Sequence, residues 1–247
     1  MYHWNWSVFW SASPDGGGTY LDTLLSGLLW TMSTALTAWI LALVLGVTIG
    51  VCFTLQMRWV ARLAGAYIEV FRNVPLLIQM FFWYFVLPEL LPANIGEWIK
   101  SLSESSFYTA VVALGFYTST RVAVQVVAGI RTLPRGQAMA AAALGFRTWD
   151  SYRYVLLPQA LRIIIPPMTS EFIGVIKNSA VALTIGLMEL TARTRAMTEF
   201  SFQTFEAFSA ATLIYVVINI VVVLIMHLLE RWTTIPGSAR THGKAGH

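Results

Sequence analysis

An all-α membrane protein with five transmembrane helices is what this sequence predicts, and three observations carry the prediction. Only 11% of its 247 residues are charged while 57% are hydrophobic, with a mean hydropathy of +0.65. A soluble domain would carry about a quarter charged residues. Five stretches stay apolar for about the 17–25 residues that a bilayer core demands. The basic residues, finally, collect at the ends of alternate stretches, a pattern that orients spans rather than building a nucleic-acid face.

The spans fall near Leu24–Phe53, Val74–Leu91, Phe107–Ile130, Ile163–Leu190 and Phe208–Leu229. The fourth is interrupted by Glu171, Lys177 and Asn178. Arg58 and Arg62 follow the first stretch; Arg131, Arg135, Arg147, Arg153 and Arg162 lie between the third and fourth; Arg231, Arg240 and Lys244 follow the fifth. The other connections hold only Lys100, then Arg193 and Arg195. This asymmetry puts the N-terminus outside and the C-terminus in the cytoplasm. Trp4, Trp6 and Trp10 suit a headgroup-level anchor. The segment Leu87–Ser106, with Pro88, Pro92 and Gly96, is the main external loop. Residues 1–235 read as one transmembrane domain and 236–247 as a flexible cytoplasmic tail. Cys52 is a lone cysteine and the four histidines are scattered, so neither a disulfide nor a metal site is expected.

One stretch departs from the rest. Residues 136–158, GQAMAAAALGFRTWDSYRYVLLP, are water-compatible and rich in small side chains. Ala138 and Ala140–Ala143 favour a helix, Gly145 suits its C-terminus, and Pro158 is expected to stop the helix beginning near Trp149. Pro166 and Pro167 are expected to disturb the start of the fourth span. Two readings are open for the alanine helix: an amphipathic connector on the membrane surface, or a docking helix for a partner. The small side chains fit the second better.

The stretch resembles the EAA loop of ABC importer permeases, Glu-Ala-Ala, three residues, then Gly, with a later Leu-Pro. Ala140, Ala141, Gly145 and Leu157-Pro158 match, and Met139 stands where the family has glutamate. Phe71–Tyr84 (FRNVPLLIQMFFWY), Leu133–Gln137, Pro166–Phe172 and Lys177–Leu190 resemble further blocks, in order, of permeases for polar amino acids. The nearest likeness is to permease subunits for glutamate and aspartate. The resemblance implies a type I importer fold, with the loop at about 132–158 coupling to an ATPase through Ala140, Ala141, Gly145, Arg147 and Asp150. It also implies two copies of an ABC ATPase subunit that binds the ATP, a second related permease subunit or a second copy of this chain, and an extracytoplasmic amino-acid-binding protein. No cofactor of its own and no nucleic acid are expected, and the setting is a bacterial inner membrane.

Polar residues at bilayer depth are costly and mark candidate sites. Arg121 lies deep in the third span, in Thr120-Arg121-Val122-Ala123-Val124, where the related permeases carry Ala-Tyr-x-Ala-Glu. The two changes make the pathway more positive, as a dicarboxylic amino acid requires. The alternative is a structural pair of Arg121 with Glu171. Gln125 shares the Arg121 face at i+4, and Arg72, beside Glu69 and ahead of Pro75, suits a gate; Glu69 and Arg72 can pair. Lys177, Asn178 and Glu171 complete the candidate pathway. The chain carries no Gly-x-x-x-x-Gly-Lys-Ser/Thr loop, so any ATPase is another polypeptide. An ion-coupled secondary transporter is the competing class, but it would show inverted repeats. No side-chain constellation for a membrane enzyme gathers at a span end.

Overall fold

Thr19 and Asp22 start the first long helix. In the computed structural model, which describes residues 4–14 and 18–233, the Thr19 hydroxyl accepts from the Asp22 amide at 3.3 Å, and Asp22 Oδ2 accepts from the Thr19 amide at 2.8 Å. This reciprocal cap satisfies donors that a helix start leaves open. From it α1 (Tyr20–Thr54) runs for 35 residues. At about 1.5 Å per residue it is about 52 Å long, more than a hydrocarbon core of about 30 Å needs.

Pro75 divides the next span. α2 (Arg58–Asn73) meets the Leu76–Leu90 stretch at 102°. That stretch comprises α3 (Leu76–Phe81), a π turn at Phe82–Val86 and α4 (Leu87–Leu90). Proline excludes the preceding residue from the α region, and Val74 accordingly sits at φ −92°, ψ 126°. The expected span Val74–Leu91 corresponds to the second arm of a bent helix pair that starts at Arg58 and is, taken together, long and apolar enough to cross a membrane. The expected loop Leu87–Ser106 is mostly helical: α4 is followed by α5 (Ala93–Ser101). A Cβ on the buried Gly96 would come within 2.2 Å of the Pro88 carbonyl oxygen, so the helix rests directly on the turn before it.

α6 (Ser105–Thr132) then packs along α1. Ala35, Ala38, Ala42, Gly46 and Gly50 recur every three or four positions of α1 and are all buried. A Cβ on Gly46 would lie 2.5 Å from Val122 Cβ and 2.7 Å from the Ser119 carbonyl oxygen; one on Gly50 would lie 2.7 Å from Val126 Cβ. Gly115 of α6 returns the contact, against Leu41. Lipid offers no hydrophobic drive for helix association, so such close van der Waals contact holds the pair.

The segment predicted to carry the docking helix forms α7 (Arg135–Ala143). The chain then continues without a stop through α8 (Thr148–Asp150), a π turn at Ser151–Leu156 and α9 (Leu157–Asn178). Pro158 does not end the helix, and Pro166 and Pro167 lie inside α9. Both π turns finish two residues before a proline, Pro88 and Pro158. The wider turn relieves the clash between a proline ring and the carbonyl four residues back. A 3₁₀ segment, Ser179–Ile185, leads to Gly186 at φ 86°, and Thr148–Ile185 meets α10 (Leu190–Ser201) at 52°. α11 (Thr204–Thr233) closes the chain, its exposed Leu213, Val217, Ile220 and Leu224 suited to lipid.

Among the described residues three helices, α1, α6 and α11, are long and apolar enough to span alone, and the two bent pairs, each counted as one span, raise the count to the five expected. The expected tail at 236–247 lies outside the described residues.

Gly46→Ala should destabilise the fold by about 1–3 kcal/mol through overpacking. Gly174→Ala, whose methyl would meet nothing within 4 Å, should be neutral or stabilising. Melting of the detergent-solubilised protein measures both, and equal melting temperatures would rule out a tight α1–α6 seam.

Candidate functional site

The break at Pro75 ends α2 beside the middle of α6, and a cavity of about 280 Å³ opens there. Arg72 enters from the last turn of α2; Tyr117, Thr120, Arg121, Val124 and Gln125 line it from α6; Glu171 faces it from α9. Tyr117, Arg121 and Gln125 stand at i, i+4 and i+8, so one helical stripe supplies most of the polar wall. The volume sits near the lower edge of the usual range of about 300–1,000 Å³ for small-molecule pockets.

Arg121 is held from two sides. Its Nη2 donates to Tyr117 Oη at 3.1 Å, and its Cζ lies 5.3 Å from the centre of the Tyr117 ring. Its Nη1 is 3.7 Å from Glu171 Oε2. The expected structural pair is thus present, but it is a long contact. The Arg121 side chain remains 51% exposed, against 17% for Glu171. A guanidinium has five donors, and most of those on Arg121 stay available to a ligand. With Arg72 beside it, the lining carries two guanidiniums against one carboxylate.

Of the residues expected on the pathway, Arg121, Arg72, Gln125 and Glu171 share this cavity. Lys177 and Asn178 do not line it. They end α9 roughly 9 Å further along the axis at about 1.5 Å per residue, with Lys177 exposed and Asn178 half-buried. Glu69 accepts from Asn73 Nδ2 at 3.1 Å rather than pairing with Arg72. Asn73, a full turn on, lies over Glu69, and Arg72 is left to the cavity.

The second candidate surface is α7. All of it is exposed except Ala141, at 2% exposure. Phe146 N donates to Ala141 O at 3.1 Å and Gly145 N to Ala142 O at 3.0 Å, a paired closure in which Gly145 takes φ 83°. Of the expected coupling residues, Ala140, Gly145 and Arg147 are exposed, Asp150 is half-buried, and Ala141 is turned inward. The tip also shows Met139, Leu144 and Trp149 to solvent, at 66%, 78% and 62% exposure. These apolar side chains surround the alanines, which read alone as featureless.

Two polar residues matter beyond those that sequence reasoning singled out. Gln79 is buried, and its Nε2 donates to the carbonyls of Phe71 at 2.7 Å and Val74 at 3.0 Å. It thereby satisfies backbone groups freed at the break and fixes the turn that carries Arg72. The signal available was a glutamine four residues after Pro75 in an apolar run. Glu189 is wholly buried and caps α10, accepting from the Ala192 amide at 2.8 Å, the Thr191 amide at 3.0 Å and Tyr215 Oη at 3.2 Å. The Tyr215 contact comes from α11, which no local pattern announces.

Comparison with known proteins accords with this geometry. Residues 42–235 match the family described as binding-protein-dependent transport system inner membrane component. The glutamate/aspartate import permease protein GltJ of Escherichia coli K12 is 44% identical over 238 residues, which cover 95% of this chain and 97% of that protein. The glutamine transport system permease protein GlnP of the same organism is 30% identical, over 92% and 96% of the two chains. A chain in a crystal structure of an amino acid ABC transporter with histidines superposes with a TM-score of 0.73 at 29% identity, covering 86% of this chain and 95% of its own length. The methionine ABC transporter MetNI, in an inward-facing conformation, gives a TM-score of 0.74 at 18% identity over 87% and 98% of the two chains, and so shares the fold. This chain belongs to the family of inner membrane components of binding-protein-dependent transport systems: it is a multi-pass permease subunit of an ABC importer and not the nucleotide-binding subunit.

Proposed function

We propose that this permease forms the translocation pathway of an ATP-driven importer for glutamate and aspartate, with the Arg121 cavity as the site that meets the substrate. The charge balance of that cavity is the observation that carries the reading. A dicarboxylic amino acid brings two carboxylates and one ammonium. Arg121 and Arg72 match the carboxylates, and Glu171 matches the ammonium. A glutamine in the same place would leave one guanidinium without its anionic partner, and a site built for a charged group rejects a ligand that lacks it. The similarity to the glutamate/aspartate permease supports the acidic substrate, while the similarity to the glutamine permease makes the arginines the deciding feature.

Coupling follows from the exposed α7. Two copies of an ATPase subunit bind ATP, and their closure drives α7 and its counterpart on a second permease subunit, a related chain or a second copy of this one. A binding protein delivers the amino acid from outside. The pathway alternates between two packed states biased by these ligands. The arginine distribution supports a cytoplasmic α7 and an external α5.

Arg121→Ala should lower acidic-substrate-stimulated ATPase activity by at least about tenfold, the cost of one lost charged hydrogen bond at a half-exposed site. Arg121→Lys should recover part of it, because a point charge lacks the two-pronged geometry. The assay uses the reconstituted complex at saturating binding protein. An unchanged acidic response in a well-folded Arg121→Ala complex sinks the recognition role.

Gly145→Asp should insert normally yet lose the ATPase on co-purification. Its left-handed backbone costs a side chain about 1–2 kcal/mol, and a new charge falls within the proposed contact. Gly145→Asn, which tolerates that backbone without charge, separates the two effects. If the aspartate variant keeps its ATPase and transports normally, α7 is not the coupling element.

A cysteine at exposed Asn94, in a background with Cys52 replaced by serine, should label from outside intact cells, and one at Thr148 should not. Reversed labelling overturns the orientation.

A further inference from the structure

A second cavity, unrelated to the Arg121 site, opens where α1 and α6 end. It measures about 630 Å³ and is bounded by the last turns of α1 and α6, the start of α7 and the π turn at Ser151–Leu156. Tyr152 Oη donates to the Thr54 carbonyl at 2.9 Å, tying the π turn to the end of α1 and closing one side. Phe53, Ile130, Leu133 and Leu156 make an apolar wall, and Arg131 and Arg135 stand at the same opening. Among the described residues no carboxylate lines it. Arg131 is held with its Cζ 5.6 Å from the centre of the Phe53 ring, and neither arginine forms an ion pair among the described residues.

Depth narrows the ligand. Arg131 lies about 15 Å along α6 from Arg121 at about 1.5 Å per residue, which is half of a hydrocarbon core of about 30 Å. If Arg121 marks the middle of the bilayer, Arg131 and Arg135 stand at headgroup phosphate level, and the apolar wall faces the acyl region. Two uncompensated guanidiniums over a greasy crevice match an amphiphile with an anionic head and an apolar body. A small soluble anion would leave the wall wet, and a neutral lipid would leave the arginines unmatched.

We propose that this crevice is a binding site for an anionic glycerophospholipid, its phosphate on Arg131 and Arg135 and its acyl chain along Phe53, Ile130 and Leu156. Basic pockets between helices on the cytoplasmic side of a membrane recognise such headgroups. The bound lipid braces the base of α7 against the ends of α1 and α6. Transport therefore depends on anionic lipid through the setting of α7, independently of which amino acid occupies the other cavity.

The test uses the permease purified with its partner subunits in a neutral detergent and stripped of lipid. Phosphatidylglycerol, phosphatidylcholine or inorganic phosphate is then added, and bound lipid is read by native mass spectrometry. The parent should retain phosphatidylglycerol, with neither phosphatidylcholine nor inorganic phosphate displacing it. A double variant, Arg131→Gln with Arg135→Gln, should bind it about twenty-five-fold more weakly, each guanidinium contributing about fivefold. Arg62→Gln, on exposed α2, should bind as the parent does. Equal retention by parent and double variant overturns the proposal. Displacement by inorganic phosphate makes the crevice a free-anion site and overturns it as well. So does loss of the ATPase subunit from the double variant with lipid binding unchanged, which makes the crevice a protein contact. Should the double variant fail to insert, Ala138→Phe keeps both charges and fills the crevice, and undiminished phosphatidylglycerol binding in that variant overturns the site.

Discussion

The closeness of α1 to α6 is the constraint from which the remaining geometry follows. Two helices that meet at Gly46, Gly50 and Gly115 seat the side chains of Val122, Val126 and Leu41 directly on the facing backbone. Their crossing therefore cannot slide or tilt without collision. The other elements are arranged around that fixed pair: α2 and α3 lean on one flank of α6, α9 on another, and α10 closes against α1 at Gly27, where a Cβ would meet the Leu190 backbone at 2.9 Å. Water would reward burying large apolar side chains at such a contact, whereas lipid does not. That difference explains why the most buried face of the protein is built from its smallest residues.

Around this rigid pair the chain is broken in places, and each break is repaired by a specific group. At Pro75 the repair is the Gln79 amide. Ahead of Pro88 and Pro158 it is a π turn. At the bend before α10 it is the Glu189 carboxylate, receiving the first amides of the new helix. Irregular backbone at membrane depth persists only where its polar groups find partners or line a cavity. The Pro75 break does both, since its far side is the wall that presents Arg72.

Much of this was legible in the sequence, and the parts that were not share one cause. The five spans followed from apolar length, and Arg121, Glu171, Gln125 and Arg72 from the cost of charge and polarity in lipid. Periodicity along α6 was enough to group Arg121 with Gln125. Asn178 joined that group because it shares the Glu171 face at i+7, and Lys177 as its neighbour, but neither lines the cavity, from which the helix rise separates them. The helical arm ahead of Pro75 was not counted with the second span because α2 alternates basic and apolar residues and reads as a surface helix. Pro158 was misread in the same way, as a terminator, because a π turn has no sequence signature of its own. Gln79 acts on carbonyls across the Pro75 bend and Glu189 on its own helix start and on Tyr215 of α11, and only the folded chain brings these together.

α6 has one further consequence. Its Val122 and Val126 face the packed core, while Arg121 and Gln125 face the open cavity on another side of the helix. Substitutions on the two sides share few neighbours, and distant, independent sites add their effects rather than multiply them. A lineage can therefore exchange residues on the open side without renegotiating how the helices fit. Relatives with different cargoes on one shared scaffold are what such a two-sided helix permits. The residues that vary freely and those that hardly vary should alternate along it with the pitch of the helix itself.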